Sequence, residues 1–328
     1  MYKRMLVPLD GSAMAEAALV YAKELAARLD LDVVLIHVHD RQDSELLPIH
    51  QAYVEHMAET LMQQSAEVKE RMGIRRRRQR TQVRAQTTAG YPPEEILRCA
   101  DENEVDFILM TTHGRSGVQR WIMGSVADKV LRASKVPVWL VRAGFPEEIP
   151  YDKWPSRTFL VALDGSELAE STLPHVKMLA KQADAERVGV VLLMVCEPLV
   201  IPPVPMPESP SDWGKLVEEH MAYSKQATED YLAKVGRRLA DAGVKVASAV
   251  LEGEPADEII KYTDENPFTI IVMATHGRSG LSRWAYGSVV DKILSGASRS
   301  VFLVRAPSTD GGPWLPPLVW SIRNLPPI

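Results

Sequence analysis

The sequence predicts two tandem α/β domains, each a doubly wound parallel sheet of five strands. Apolar, β-branched runs alternate with helical patterns along the chain, which is typical of βαβ units with helices on both faces of a sheet. These runs occur in the same order in both halves of the chain. The length of 328 residues also suits two domains better than one.

The two halves share five ordered segments, and this self-similarity indicates a tandem duplication of one domain. The pairs are LVPLDGS (6–12) and LVALDGS (160–166), VLIHV (34–38) and VLLMV (191–195), GYPPEEI (90–96) and GEPADEI (253–259), THGRSGVQRWIMGSVADKVL (112–131) and THGRSGLSRWAYGSVVDKIL (275–294), and VPVWLVRA (136–143) and RSVFLVRA (299–306). We expect domains over 1–145 and 158–306, a linker over 146–157, a proline-rich insertion over 197–214 and a tail over 307–328.

The first half opens with the apolar run MLVPLD, which predicts a strand that ends in turn residues. Small and apolar residues at helical spacing predict a helix over Ala13–Leu29. The β-branched run Asp32–Val38 indicates a buried strand. A long polar helical pattern follows over Ile49–Met72, and Thr81–Thr88 alternates in the manner of a strand.

The remaining elements of the first half follow the same alternation. Glu94–Asn103 is amphipathic and predicts a helix, and Asp106–Thr111 is another buried strand. A helix is expected over Ser125–Ala133, directly after Gly124, and Pro137–Val141 completes the set as the last strand. Because helices separate the strands, the sheet should be parallel.

Composition and charge exclude several classes of function. The formal net charge of −5 gives no general electrostatic case for nucleic acid, and we interpret the basic run Arg75–Arg80 as a solvated surface without stacking aromatic residues. The two cysteines, Cys99 and Cys196, are too few for a disulfide framework and suit a reducing compartment. With neither a signal peptide nor an apolar run of about 20 residues, we expect a cytoplasmic protein that does not enter a membrane.

Two glycine-containing turns follow predicted strands. Asp10-Gly-Ser comes after the first strand, and Thr112–Gly117 comes after the fourth. Both should lie at the carboxyl edge of the sheet, where open α/β sheets bind ligands. Gly114 and Gly117 permit positive φ and a close approach of a ligand to the backbone.

A helix opens after the second turn, at Gly124 and Ser125, with Asp128 placed near a capping-box position. The N-terminus of a helix favours an anion. The combination predicts a phosphate cradle, with Asp10 accepting from ribose hydroxyls or holding Mg²⁺. Neither a Walker loop nor a G-x-G-x-x-G turn after the first strand is found.

With these repeated turns the chain resembles a tandem universal stress protein. Nucleotide-binding members of that family share the motif G-x2-G-x9-G-[ST]. Gly114 followed by Gly124-Ser125 matches its later part, and Gly277 followed by Gly287-Ser288 repeats the match. The first glycine of the motif is replaced in the two halves by Thr111 and Ala274.

The resemblance implies Rossmann-like domains related to the adenine nucleotide alpha hydrolases, which bind ATP or a related adenine nucleotide with Mg²⁺ near Asp10 and Asp164. It implies that the last strands, Val136–Val141 and Val301–Val304, pair the two domains as an internal pseudo-dimer, and that two chains can form a homodimer. The implied nucleotide-binding residues are Pro8, Asp10, Gly11, Ser12, Val38, Gly114, Arg115, Gly117, Gly124, Ser125 and Val126 in the first half, and Asp164, Gly165, Ser166, Val195, Gly277, Arg278, Gly280, Gly287, Ser288 and Val289 in the second.

Several side chains near the turns leave alternatives open. His37 and His39 share one side of a strand, as metal ligands do, but Met194 and Cys196 stand there in the second half, so a duplicated metal site is not supported. We expect the turn arginines either to contact phosphates or to form surface ion pairs, the turn histidines to form backbone bonds rather than to act in catalysis, and the turn tryptophans to pack the loop rather than to stack on a base. These residues are Arg115, Arg120, Arg278, Arg283, His113, His276, Trp121 and Trp284.

The resemblance makes a regulatory, ATP-binding stress protein the leading hypothesis, and two alternatives remain. The first is a slow ATPase or a nucleotidyl or phosphoryl transferase, although no catalytic acid and base pair is evident. The second is an interaction module that binds no nucleotide, since the first glycine of the motif is absent from both halves.

Overall fold

A computed structural model of the chain describes residues 1–73, 81–112, 123–142, 158–183, 188–198, 210–266, 269–275 and 286–305. The predicted linker, the tail, the basic run Arg75–Arg80 and most of the proline-rich insertion lie outside these residues. The described ranges contain strands and helices of both halves.

The first half alternates strands and helices as the sequence predicts. Its elements are β1 (Arg4–Leu9), α1 (Ala13–Leu29), β2 (Asp32–His39), a 3₁₀ turn (Arg41–Leu46), α2 (Leu47–Arg71), β3 (Val83–Ala89), α3 (Pro92–Glu102), β4 (Phe107–Thr111), α4 (Ser125–Ala133) and β5 (Val138–Val141). The helices α1 and α4 have the predicted bounds, and the other elements differ from prediction by a few residues at their ends.

The second half repeats this order. Its elements are β6 (Thr158–Ala162), α5 (Glu167–Glu170), α6 (Leu173–Gln182), β7 (Gly189–Cys196), α7 (Pro210–Ala240), β8 (Lys245–Glu252), α8 (Pro255–Glu265), β9 (Thr269–Ala274), α9 (Ser288–Gly296) and β10 (Val301–Val304). The single helix α1 corresponds here to two shorter helices, α5 and α6. Pro174 stands in the first turn of α6, and because proline lacks a backbone N–H and crowds the preceding turn, it favours a break at this point.

The ten strands form one sheet, in the order β3-β2-β1-β4-β5-β10-β9-β6-β7-β8. All neighbours within each half are parallel. The halves meet where β5 and β10 pair antiparallel, with Trp139 opposite Phe302. The predicted pairing of the last two strands is therefore confirmed, and it joins the two five-stranded sheets into one.

Two apolar cores cover the two faces of this sheet, and each core runs through both halves. One packs α1, α2, α6 and α7 against the sheet, with Trp139 and Phe302 in its middle. The other packs α3, α4, α8 and α9 against the opposite face. Cys99 and Cys196 are buried with free thiols.

Candidate functional site

A cavity of about 340 Å³ lies at the carboxyl end of the first half of the sheet. It opens between β1 and β4, where the strand order reverses direction, the position at which open α/β sheets bind ligands. The residues that line it are Pro8, Leu9, Asp10, Ala15, Ile36, Val38, Pro92, Ile96, Met110, Thr111, Thr112, Gly124, Ser125, Val126 and Ala127.

The Asp-Gly-Ser turn positions Asp10 at the mouth of this cavity. Gly11 has a φ of 81°, which a residue with a side chain rarely adopts. The turn brings Ser12 back to Asp10, so that the Ser12 N–H and hydroxyl donate to Asp10 Oδ1 at 3.0 and 2.6 Å. Ser12 Oγ also accepts from the Ala15 N–H at 3.1 Å and caps α1. Asp10 therefore has a fixed orientation.

The N-terminus of α4 forms the opposite wall. Gly124 is its N-cap, with φ −60° and ψ 145°, and its N–H donates to the Thr112 carbonyl at 2.7 Å. No side chain among the described residues caps this helix. The first turn of α4 thus presents its backbone N–H groups at the cavity, an arrangement that suits an anion.

The expected capping-box role of Asp128 is wrong. Because the N-cap is Gly124 and not Ser125, Asp128 lies one position beyond the residue that closes a capping box. Its carboxylate pairs instead with Arg132, whose Nε lies 2.9 Å from both carboxylate oxygens. Asp128 therefore lies in the first turn of α4 without capping its backbone N–H groups.

The second half contains a matching cavity of about 260 Å³. Ser166 donates to Asp164 Oδ1 from its N–H and hydroxyl at 2.9 and 2.6 Å, and Gly165 has a φ of 81°. Gly287 is the N-cap of α9, again without a side-chain cap among the described residues. The lining residues are Ala162, Leu163, Asp164, Ala169, Leu193, Val195, Glu197, Pro255, Ile259, Met273, Ala274, Gly287, Ser288, Val289 and Val290.

The structure brings together about half of the predicted site residues. Those that line the cavities are Pro8, Asp10, Val38, Gly124, Ser125 and Val126, and in the second half Asp164, Val195, Gly287, Ser288 and Val289. Gly11, Ser12, Gly165 and Ser166 form the turns that hold the aspartates. Outside the described residues lie Gly114, Arg115, Gly117, Gly277, Arg278 and Gly280, with the turn residues His113, Arg120, Trp121, His276, Arg283 and Trp284.

Sequence reasoning missed the aliphatic wall of each cavity. Pro92 and Ile96 of α3 line the first cavity, and Pro255 and Ile259 of α8 line the second. The repeated segments GYPPEEI and GEPADEI carry these residues. The internal repeat therefore contains the signal, but proline and isoleucine have no chemistry of their own that would indicate a role.

A half-buried tyrosine supports the helix that follows each aspartate turn. The Tyr53 hydroxyl donates to Glu16 Oε1 at 2.8 Å, and the Tyr231 hydroxyl donates to Glu170 Oε1 at 3.1 Å. Burial raises the pKa of both phenols above the usual value of 10. Both hydroxyls therefore remain protonated donors at neutral pH, and they hold the first turn of α1 and of α5.

The two strand histidines lie in a small cluster with His50 and Tyr53. His37 Nδ1 is 3.0 Å from the Leu9 carbonyl, its Nε2 is 2.9 Å from His50 Nδ1, and His39 stacks on His50. Within the described residues, no group of three His, Cys, Asp or Glu side chains could hold a metal ion. These histidines form a largely buried stack between β2 and α2.

Comparison with known proteins decides the family. Residues 1–142 and 155–305 each match the model of the universal stress protein family. The chain belongs to the universal stress protein family. Universal stress protein MJ0531 of Methanocaldococcus jannaschii is 30% identical over 154 residues, which are 47% of this chain and 85% of that protein.

Solved structures show the same fold for this universal stress protein. A universal stress protein from Archaeoglobus fulgidus DSM 4304 covers 92% of this chain and 98% of its own, with a TM-score of 0.59 and 20% identity. The functionally unknown protein PA1789 from Pseudomonas aeruginosa PAO1 covers 93% of each chain, with a TM-score of 0.62 and 15% identity. Both the predicted family and the predicted Rossmann-like α/β fold are confirmed. None of the helices in the described residues has the length and apolar character to cross a membrane.

Proposed function

We propose that this universal stress protein binds ATP, or a related adenine nucleotide, in both cavities and acts as a regulator in the stress response. The observation that carries the proposal is the glycine at each helix N-terminus. Gly287 has φ −64° and ψ 152°, a conformation open to every residue, and a Cβ placed there would meet no described atom within 4 Å. Folding does not require a glycine at this position, whereas close approach of a ligand to the backbone does.

The cavities offer separate places for the parts of a nucleotide. The backbone N–H groups of Ser125 and Val126, and of Ser288 and Val289, would hold phosphate oxygens at the helix N-termini. The aliphatic walls and the ends of β2 and β7, at Val38 and Val195, would hold the base. Asp10 and Asp164 would accept from ribose hydroxyls. The first cavity falls within the range of about 300–1,000 Å³ that is typical of small-molecule sites.

Magnesium would enter with the nucleotide. Mg²⁺ in nucleotide sites is commonly held by one or two carboxylates together with substrate phosphates. Asp10 and Asp164 each supply one carboxylate at a cavity. We therefore propose that Mg²⁺ binds with the triphosphate and not to the protein alone.

We expect any hydrolysis of the bound nucleotide to be slow. Among the described residues that line the first cavity, Asp10 alone has a titratable side chain, and in the second cavity only Asp164 and Glu197 do. A positioned base near neutral pKa contributes about 10²–10⁴-fold to such reactions. We expect occupancy of the cavities, which stabilises the fold by mass action, to carry the regulatory signal. Turnover well above about one per second would favour the ATPase or transferase alternative.

We further propose that the protein is cytoplasmic. A reducing cytoplasm suits the two buried free cysteines. The internal pairing of β5 and β10 uses the strands that would otherwise be sheet edges. We therefore propose that any homodimer forms through another surface, and light scattering of the purified chain tests for it.

The direct test is the nucleotide content of the purified protein. The protein is denatured and filtered, and the released nucleotide is identified and counted per chain, before and after incubation with ATP and Mg²⁺. Two adenine nucleotides per chain are expected. The variants Gly124→Leu and Gly287→Leu should each lose one, since a side chain at the N-cap fills the space next to the helix N–H groups.

Gly214→Leu is the matched control, because Gly214 lies in α7 away from both cavities and also has open space around it. It should retain two nucleotides. If the wild-type protein binds none even with added ATP and Mg²⁺, the proposal fails and the interaction module becomes the better hypothesis.

A further inference from the structure

Tyr286 connects the two cavities. It directly precedes Gly287, the N-cap residue at the second cavity, but its side chain contacts the first half of the chain. The Tyr286 hydroxyl donates to the backbone carbonyl of Asp128 at 3.0 Å. Asp128 belongs to α4, whose first turn lines the first cavity. One buried side chain, 8% exposed, therefore spans from one candidate phosphate cradle to the helix of the other.

Arg132 fixes the Tyr286 ring in this position. Its guanidinium lies over the ring, 4.4 Å from the centroid, as in a cation–π contact. The same guanidinium pairs with the Asp128 carboxylate. Tyr286 is thus held by α4 at its hydroxyl and at its face, so a shift of the tyrosine and a shift of α4 are energetically linked.

The C-terminal ends of α4 and α9 are also tied across the junction, and here the link is mutual. Arg142, just after β5, donates to the Leu294 carbonyl of α9 at 3.0 Å. Arg305, just after β10, donates to the Ser134 carbonyl at the end of α4 at 3.2 Å. These contacts limit how far either helix can move, and they leave its N-terminal turn as the part that can respond to a ligand.

Only the second half supplies a tyrosine at this position. Met123 occupies the equivalent position before Gly124 in the first half, and its thioether carries no hydrogen-bond donor. Tyr286, next to the second cavity, therefore contacts α4, whereas Met123, next to the first cavity, has no hydroxyl that could bond to α9. Because of this asymmetry, a single substitution of Tyr286 removes the contact with α4 and leaves the other contacts of the junction in place.

We propose that the two nucleotide sites are coupled through Tyr286, so that occupancy of the second site strengthens binding at the first. The proposal rests on the proposed function, because it concerns the same two cavities. A ligand held by the helix N-terminus at Gly287 restrains the backbone next to Tyr286, and Tyr286 then restrains the first turn of α4. As a result, ATP binding at the first site would cost less conformational entropy. Because coupling free energies are reciprocal, occupancy of the first site would strengthen binding at the second by the same factor.

The test is a cycle of variants with Mg-ATP as the probe, measured by titration calorimetry on the full chain. Blocking the second site with Gly287→Leu should weaken ATP binding at the first site by about fivefold, the lower end of typical coupling. In the Tyr286→Phe background, which keeps the ring and removes the hydroxyl, the same block should change that affinity by less than about twofold. Met123→Leu is the matched control and should leave the full effect of the block intact.

Hydrogen exchange gives a second readout that does not depend on the first site being filled. In the Gly124→Leu protein only the second site binds, and added Mg-ATP should increase amide protection across α4. Tyr286→Phe should abolish that increase. If both sites bind ATP independently, the coupling is disproved, and if they remain coupled as strongly in Tyr286→Phe, the route through Tyr286 is disproved. In either case the proposed function stands. Absence of ATP binding by the wild-type protein overturns both proposals.

Discussion

The two halves differ in which one reaches across the junction. Gln182, at the end of α6, exchanges hydrogen bonds with the backbone of Tyr2: its Oε1 accepts from the Tyr2 N–H at 3.0 Å, and its Nε2 donates to the Tyr2 carbonyl at 2.7 Å. The first-half counterpart of Gln182, Arg28, pairs with Glu24 within its own helix, Nε to Oε2 at 3.1 Å. Similarly, His175 contacts the Tyr2 hydroxyl at 2.6 Å.

This difference shows what a duplication within one chain permits. In a symmetric homodimer each interface residue must serve both subunits, because the same patch meets its own copy. At the Gln182 and Tyr286 contacts the second half supplies the side chain and the first half supplies backbone groups, whereas the contacts of Arg142 and Arg305 are mutual. Backbone groups are present whatever the sequence, so each of these contacts depends on a side chain of one half alone.

The largest expected effect is at the centre of the junction. Trp139 is 1% exposed and its ring centroid lies 5.4 Å from that of Phe302, its opposite residue in β10. Trp139→Ala should lower the free energy of unfolding by about 3–5 kcal/mol, since it leaves a large cavity. Denaturant unfolding followed by circular dichroism measures the loss.

Trp139→Phe refines the comparison of the two halves, because it places phenylalanine in β5 opposite Phe302 of β10. The indole Nε1 has no hydrogen-bond partner among the described residues, so phenylalanine removes a buried polar atom along with some volume. We expect a loss below about 1.5 kcal/mol. A loss as large as that of the alanine variant would show that the indole itself is required.

The next effect is at Gln182, which is 3% exposed and also donates to the Leu29 carbonyl. Gln182→Ala leaves buried backbone groups of Tyr2 without a partner and should cost about 2 kcal/mol. Lys181→Ala, at the exposed neighbouring position, is the control and should change stability little. Equal effects at the two positions would refute a special role for Gln182.

The smallest effect is a pH dependence. Burial lowers the pKa of His175 from its usual 6.5, so the folded state binds fewer protons than the unfolded state. The contribution of neutral His175 is full above about pH 6.5 and is lost as the pH falls below that value, with a slope of at most about 1.4 kcal/mol per pH unit. Thermal unfolding from about pH 7.5 to about pH 5 measures this loss.

His175→Gln should flatten the acidic limb of that profile, because glutamine does not titrate. His37, His39 and His50 remain in the variant, so the comparison isolates His175 from the histidine cluster of the first half. An unchanged profile in His175→Gln would show that His175 does not carry the pH dependence.

The sequence predicted the strands and helices, and the edge of the sheet at which the cavities lie, because both follow from local residue patterns. Helix α1 follows from the spacing of its small residues, and Asp10 and Thr112 lie at one edge because β1 and β4 are parallel neighbours. The start of α4 directly after Gly124 was also predicted, since Gly and Ser are both favourable at the start of a helix. Contacts such as those of Gln182 and Tyr286 depend on how the halves meet, and no local pattern encodes that.

The antiparallel pairing of β5 with β10 determines from which side a partner protein would reach a ligand in each cavity. Each cavity lies at the carboxyl ends of its own strands, and the strands of the two halves run in opposite directions. The two openings therefore face away from each other at opposite edges of the sheet. A flat partner that approaches from one edge meets one cavity and not the other. Under the proposed function, two partners would therefore contact the two nucleotide sites of one chain at the same time.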